Sequence, residues 1–469
     1  MTQQSNLLVI GGGPGGISAA TKAALANKTV TMINDGPLMG YGIEGAFKSK
    51  AGFEIAQQYT YYHFREDVFG QHEEPDYSMV QRGVHESSGT LTNMLDHELQ
   101  RLGIRLVKGR GSFVDARNVE VDGETYTADN IVIATGTRPR VFPGIDIDGS
   151  RVITSDEAPS MPHSPDSILI LGAGVIGCEF ACIFSAMGSK VHLVDTQKVI
   201  LGNEDPDVSA FLQKAFDRRG ICVIPESRYE SLTVNKSSVT THLTTGDIET
   251  SVVLLAVGRE ACSSELNLEA AGVEFDKRGY IPTTGEMRTN VSHIYAVGDV
   301  GYRNTPVDLS LVHVAQAEGR LAVAHMLGQP VPQNMDHVPF IIFTIPMIAG
   351  AGFTETEARQ KFGEVRVGKY PYGRNHRAHT IQPPVGFVKL IVAPEGDDRI
   401  VGIRAVGKDA DTIVGTASIM IERSLPYTYL MESIFPHPSL LECLQGAAHI
   451  IAGDALSYLD GEEFSFLNS

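Results

Sequence analysis

NLLVIGGGPGGISAATKAAL, residues 6–25, sets the fold. A short apolar run meets Gly11-x-Gly13-x-x-Gly16, an alanine-rich segment follows, and a second apolar run, KTVTMIN, ends at Asn34. This pattern predicts strand, turn, helix and strand in succession. The three glycines differ in purpose. The first makes the turn, the second admits a pyrophosphate close to the backbone, and the third lets helix pack on strand. The helix start then offers its free N–H groups to the phosphates. A lone glycine triplet is weak evidence, but in this setting it predicts a dinucleotide-binding unit.

The unit recurs. SILILGAGVIGCEFACIFSAMGSKVHLVD (167–195) places Gly172, Gly174 and Gly177 at the same spacing and ends on Asp195, 23 residues beyond Gly172. An acidic residue there accepts hydrogen bonds from the adenosine ribose hydroxyls, and its charge repels a 2′-phosphate. No arginine follows in DTQKVIL, so NAD(H) is favoured over NADP(H) at this second site. The same count from Gly11 lands on Asn34, a weaker acceptor, with Asp35 beside it to take over. Apolar strands ending in glycine follow: NIVIATGTRPR (130–140) reaches Gly136, VVLLAVGR (252–259) reaches Gly258, and HIYAVGDV (293–300) reaches Gly298-Asp299. Two dinucleotide sites in one chain imply electron exchange between a nicotinamide and a flavin, which stores the hydride between half-reactions.

The rest of the chain narrows the class. Its 469 residues predict several domains. A formal net charge of −18 argues against nucleic acid, whose binding needs basic patches to neutralise phosphate. No basic-then-apolar leader is apparent, and the longest apolar-rich stretch, IIFTIPMIAGAG, is short for a bilayer span and carries a proline. Five scattered cysteines do not suggest a disulfide framework. A cytoplasmic protein without a transmembrane segment is expected.

The ordered set GGGPGG, ATGTRPR, GAGVIGCEF, LLAVGR, YAVGDV and HPSLLE resembles the pyridine nucleotide–disulfide oxidoreductases, the family of dihydrolipoamide dehydrogenase, glutathione reductase, mercuric reductase and the soluble transhydrogenases. The resemblance covers nearly the whole chain. It implies an α/β protein with two Rossmann-like domains, for FAD and for NAD, and an α+β C-terminal dimerisation domain. The expected boundaries are 1–152 and 273–337 for the two FAD-binding segments, 153–272 for the NAD-binding domain between them, and 338–469 for the interface domain. By the same resemblance Asp299 binds the FAD ribitol, LVHVAQAEG (311–319), which includes His313, runs a helix toward the flavin, and the protein is a homodimer.

GPLMGYGIEGAFKSKAGFE (36–54) is where the chain departs from the family. There the family carries a glycine-rich loop, then C-x-x-x-x-C, then proline-serine-lysine. Aligning that lysine on Ser49-Lys50 sets the two cysteine positions at Tyr41 and Ala46, so both redox thiols are expected to be missing. Cys178 and Cys182 fall on the second fingerprint helix and read as buried hydrophobes; Cys222, Cys262 and Cys443 have no near partner in sequence. Dithiol–disulfide exchange is therefore not expected.

The resemblance carries over other site residues. Lys50 and Glu179 match the family's lysine–glutamate pair beside the flavin N5, where a cation stabilises reduced flavin. His437-Pro438-x-x-x-Glu442 matches its acid/base dyad, contributed across the dimer interface, with Glu442 orienting the imidazole. HFREDVFGQHEEPDY (63–77) lacks metal-ligand spacing and reads as a solvated loop, so no metal is expected. GRNHRAHT (373–380) resembles a surface segment of the interface domain and reads as structural. The tyrosines of QQYTYYHF (57–64) follow the flavin-side helix and read as core packing, with the lining of an acceptor cavity as the alternative.

Together these features predict an NADH-dependent FAD oxidoreductase, a diaphorase-like enzyme passing electrons to a non-disulfide small-molecule acceptor such as a quinone. Tyr41 would wall the flavin face that the dithiol leaves. One alternative is a soluble NAD(P) transhydrogenase, which GAGVIGCEF and FTIPMI (343–348) resemble and the missing arginines after Asp195 weaken. Another is a flavoprotein kept for binding or regulation with little turnover. Intact Lys50, Glu179, His437 and Glu442 count against the latter.

Overall fold

The computed structural model describes residues 3–70, 77–302, 310–330, 337–381 and 383–454. The chain divides into two compact units, residues 1–196 with 227–333, and residues 197–226 with 334–469. In the first, β1 (Gln3–Ile10), α1 (Pro14–Leu25) and β2 (Val30–Asn34) follow the order that the opening motif predicts. β1 pairs in parallel with β2 on one side and with the strand 124–133 on the other, inside a seven-stranded sheet. Covered on both faces, it ends in an uninterrupted apolar run rather than an alternating one. Pro14 opens α1, where its missing N–H has no helical partner to lose. The face that α1 buries is made of Gly15, Gly16, Ile17, Ala19, Ala20 and Ala23.

After β2 the chain turns helical. A π-helical turn, Gly42–Phe47, leads into α2 (Lys48–Phe64), then a short helix Glu66–Phe69 and a long one Tyr77–Arg101. This corrects the loop expected over 63–77, and it places Tyr59, Tyr61 and Tyr62 within α2 rather than after it. The cause is local: residues 53–69 contain neither glycine nor proline, and His63 Nδ1 pairs with Glu66 Oε1 at 2.7 Å across the junction. The rest of that cluster, residues 71–76, lies outside the described residues. Among the described ones, no three His, Cys, Asp or Glu side chains gather as metal ligands would.

The second fingerprint repeats the first. β3 (Ser167–Leu171), α3 (Val175–Ala186) and β4 (Lys190–Val194) belong to a parallel sheet in which 190–194, 167–171, 252–255 and 152–154 adjoin in that order. In both turns the third glycine is obligatory. A Cβ on Gly16 would stand 2.0 Å from the Gly11 carbonyl oxygen, and one on Gly177 would stand 1.8 Å from that of Gly172.

The second unit is built on a five-stranded antiparallel sheet, ordered 340–342, 348–352, 400–407, 386–392 and 366–371, with α4 (Pro206–Arg218) among its helices. The strands 386–392 and 400–407 are buried along their whole length, yet each carries a cation, Lys389 and Arg404. Buried cations need partners. The segment 197–226 supplies them: Lys389 Nζ lies 2.8 Å from Asp205 and 2.6 Å from Asp207, and Arg404 Nε donates to Glu204 Oε2 at 2.7 Å. These pairs anchor that segment within the unit. Among the described residues, no helix is long and apolar enough to cross a membrane.

Lys389 is 2% and Asp205 0% exposed at the side chain, so removing the cation strands a carboxylate in the core. Lys389→Ala should cost about 3–5 kcal/mol of stability, read as a lower urea midpoint; an unchanged midpoint would mean the cluster stabilises nothing. Asp207 adds a pH signature. Burial raises its carboxyl, but hydrogen bonds from Lys389 and Lys369 outweigh this and hold it below 3.8. A carboxyl depressed in the fold contributes stability above its unfolded value and loses it as pH falls through the folded one. Below about pH 4 the parent should lose stability that Asp207→Asn lacks throughout, and parallel acid curves would show Asp207 is not responsible.

Candidate active site

Both fingerprint helices begin in a form suited to an anion. α1 starts on Gly13 and α3 on Gly174, and neither has a capping side chain or an acid in its first turn. Their leading N–H groups are left without helical partners and their dipoles point outward. Asn34 and Asp195 brace the two loops in the same way. Asn34 Oδ1 accepts from the Gly12 N–H at 2.9 Å, while its Nδ2 donates to the Gly36 carbonyl at 2.6 Å. Asp195 Oδ2 accepts from the Ala173 N–H at 2.6 Å. Asp35 turns to Arg110, whose Nε donates to it at 2.6 Å. The strand-end glycines Gly136, Gly258 and Gly298 all take positive φ, at 67°, 104° and 70°.

Past Gly298 the side chains begin to act together. Its N–H donates to the buried Glu318 at 2.6 Å, and Asp299 accepts from the Thr137 hydroxyl at 3.0 Å. Burial pushes the Asp299 carboxyl upward, against the Thr137 hydrogen bond and the nearby Arg259 charge. Arg259 is the hub. It donates from Nε to Thr137 Oγ1 at 2.8 Å and from Nη2 to the Thr137 carbonyl at 2.9 Å, and Nη1 stands 3.9 Å from Asp156. The antiparallel pairing of Arg259–Ala261 with Thr137–Pro139 places it there.

The guanidinium of Arg259 lies 4.0 Å from the centroid of the Tyr41 ring, a cation–π contact made by an arginine side chain only 10% exposed. The Tyr41 hydroxyl hydrogen-bonds with Ser155, and burial raises its pKa despite the arginine. The same ring fills the space beside Gly45. Lys50 Nζ donates to Glu179 Oε2 at 2.7 Å, the lysine 32% exposed and the glutamate 7%. Lys50 sits in the first turn of α2 and Glu179 in α3, so the contact joins the two helices. His313 stands near the start of the helix Val312–Met326, exposed to solvent.

The remaining two candidates stand in the second unit. His437 Nδ1 contacts Glu442 Oε1 at 2.8 Å, and the Ser439 N–H donates to the other carboxylate oxygen at 2.8 Å. Although burial acts to raise it, these bonds and the histidine hold Glu442 below the ordinary carboxylate range. All five cysteines are thiols, none of them in a disulfide. Burial raises the thiols of Cys178, Cys262 and Cys443, the last to about 12 with Glu442 adding to the effect.

The ordered motifs and twin glycine turns have a counterpart among known proteins. Residues 5–319 match the family described as pyridine nucleotide-disulphide oxidoreductase, and residues 338–448 match its dimerisation domain. The chain belongs to this family. Dihydrolipoyl dehydrogenase of Bacillus subtilis (strain 168) is 34% identical over 457 residues, covering 94% of this chain and 97% of that one. The Staphylococcus aureus dihydrolipoyl dehydrogenase is 31% identical over 461 residues, covering 96% and 97%. The crystal structure of LpdA from Mycobacterium tuberculosis superposes with a TM-score of 0.88 at 26% identity, covering 95% of this chain and 99% of that one. The HOCl-induced flavoprotein disulfide reductase RclA from Escherichia coli shares the fold, with a TM-score of 0.85 at 24% identity over 95% and 99% of the two chains.

As a pyridine nucleotide-disulphide oxidoreductase of the dihydrolipoamide dehydrogenase type, the protein is an FAD-dependent enzyme that uses NAD(H). Its uncapped helix starts and glycine turns fit the pyrophosphates of both groups. The dimerisation domain points to a homodimer. Five residues of the described network escaped the sequence: Thr137, Ser155, Asp156, Arg259 and Glu318. The arginine closes the LLAVGR motif and was visible there, but nothing in sequence linked it to Tyr41.

A Cβ on Gly45 would meet Tyr41 Cε2 at 2.0 Å. Gly45→Ala should therefore cost about 1–3 kcal/mol, the usual range for overpacking. In a Tyr41→Ala background the same change should cost almost nothing. Equal costs in both backgrounds, measured by thermal unfolding, would show that the Tyr41 ring does not occupy that space.

Proposed function

We propose that this enzyme oxidises NADH through its FAD and passes the electrons to a non-disulfide acceptor of the quinone type. The carrying observation is the Tyr41 ring, packed against Gly45 and Arg259 at the position where the family resemblance puts the first redox cysteine. Ala46 takes the second position. The thiols of Cys178, Cys262 and Cys443, raised by burial, support the same reading, because thiolate is the form that exchanges disulfides.

In this proposal residues 1–152 and 273–337 hold FAD, 153–272 hold NAD(H), and 338–469 form the dimer interface. Asp299 takes the ribitol and Asp195 the adenosine ribose of NAD(H), where its charge would exclude a 2′-phosphate. FAD, when bound, takes two electrons from NADH and hands them on. Lys50, held by Glu179, provides a fixed positive charge beside the flavin as negative charge accumulates there. NADH brings two electrons and one proton, so a quinone needs one further proton to become a quinol. His437 supplies it, oriented by Glu442.

NADH should reduce the bound flavin faster than NADPH, and Asp195→Ala should narrow the difference. Dihydrolipoamide and glutathione disulfide should not turn over; robust turnover with either would sink the proposal. His437→Ala should lower quinone turnover by a factor on the order of 10²–10⁴, the range of general acid catalysis. Ferricyanide reduction, which consumes no proton, should be nearly unchanged. Equal quinone rates in parent and variant would make His437 structural.

A further inference from the structure

His376 has no part in the proposed electron path, yet it stands against His437. It opens α5 (His376–Ile381), and its Nδ1 lies 3.4 Å from His437 Nε2 with the ring centroids 5.2 Å apart. This contact adds to the expectation that the 373–380 segment is structural. The separation is long for an N–H···N hydrogen bond, since N–H donors prefer about 2.9–3.0 Å. It matches two imidazoles sharing one tetrahedral zinc ion: nitrogens about 2.0–2.1 Å from the ion at the tetrahedral angle stand about 3.3–3.4 Å apart.

The surroundings agree with such a site. A metal-bound imidazole commonly donates its other N–H to a carboxylate, which fixes the tautomer and raises ligand basicity. His437 is placed to do so through Nδ1 to Glu442 at 2.8 Å, leaving the Nε2 lone pair toward His376. Asn375 ties the two ligand segments together. It donates to the Ser439 carbonyl at 2.9 Å and accepts from the Ala378 N–H at 3.0 Å. His379, three residues on, is engaged with the Gly373 carbonyl at 2.7 Å and is not a third ligand.

We propose that His376 Nδ1 and His437 Nε2 form a two-histidine site for Zn²⁺, and that zinc bound there withdraws His437 from proton transfer. The second half rests on the proposed role of His437 in quinone turnover; the first does not. With two protein ligands the site is exchangeable rather than structural, suited to reversible inhibition.

Zn²⁺ titrated into the FAD-loaded protein by calorimetry, with Co²⁺ as an optical substitute, tests both halves. The parent should bind Zn²⁺, and His376→Ala and His376→Gln should each lose that binding while keeping parental quinone turnover in metal-free buffer. Glu442→Gln should weaken binding by about 10–100-fold, the usual cost of removing a carboxylate behind a histidine ligand. Zn²⁺ should inhibit quinone reduction in the parent but not in the His376 variants, and should leave ferricyanide reduction unaffected. Equal Zn²⁺ affinity in parent and both His376 variants overturns the site. Binding that requires His376, together with zinc-insensitive quinone turnover, supports the site and overturns the role given to His437.

Discussion

Gly16 and Gly177 tolerate no side chain at all, and the two fingerprint turns depend on them. Because Gly16 and Gly177 have no Cβ, each fingerprint helix can start within van der Waals reach of the strand end that precedes it. That approach aims uncapped N–H groups at one point beyond the sheet. The chain as a whole carries a charge of −18, which would oppose an anionic dinucleotide. Local dipoles prevail because exposed charges are screened over about 8 Å at physiological ionic strength, while the helix N-terminus acts at contact distance.

Around this frame, a few polar groups are drawn together by one largely buried cation. Arg259 gathers Tyr41, Thr137 and Asp156, and Thr137 passes the link to Asp299. Three motifs far apart in the chain meet through one guanidinium. A planar cation suits this position, since it can stack on a ring and donate in its own plane at once. Lysine, with a compact and strongly hydrated charge, would not serve both contacts.

The second unit applies the same chemistry to different ends. Lys389 and Arg404 lie in fully buried strands and draw Glu204, Asp205 and Asp207 to themselves, which attaches the 197–226 segment by charge rather than by sequence proximity. Glu442, by contrast, pairs with His437, which also meets His376.

By itself the sequence determined the fold class, the twin dinucleotide units and the family, because each rests on local pattern. A glycine triplet between a strand and a helix carries its own geometric meaning, and so does an acid 23 residues beyond it. The family resemblance also named the Lys50–Glu179 and His437–Glu442 pairs, which lie at 2.7 Å and 2.8 Å. The polar composition of 63–77 suggested a loop, where a run without glycine or proline continued helix to Phe64 and resumed it over Glu66–Phe69. The partners of Tyr41 and His376 were decided only by tertiary structure. Arg259 is more than two hundred residues from Tyr41, and His376 and His437 are 61 apart. No period or motif encodes such a meeting; it follows from strand pairing and from the packing of buried charge.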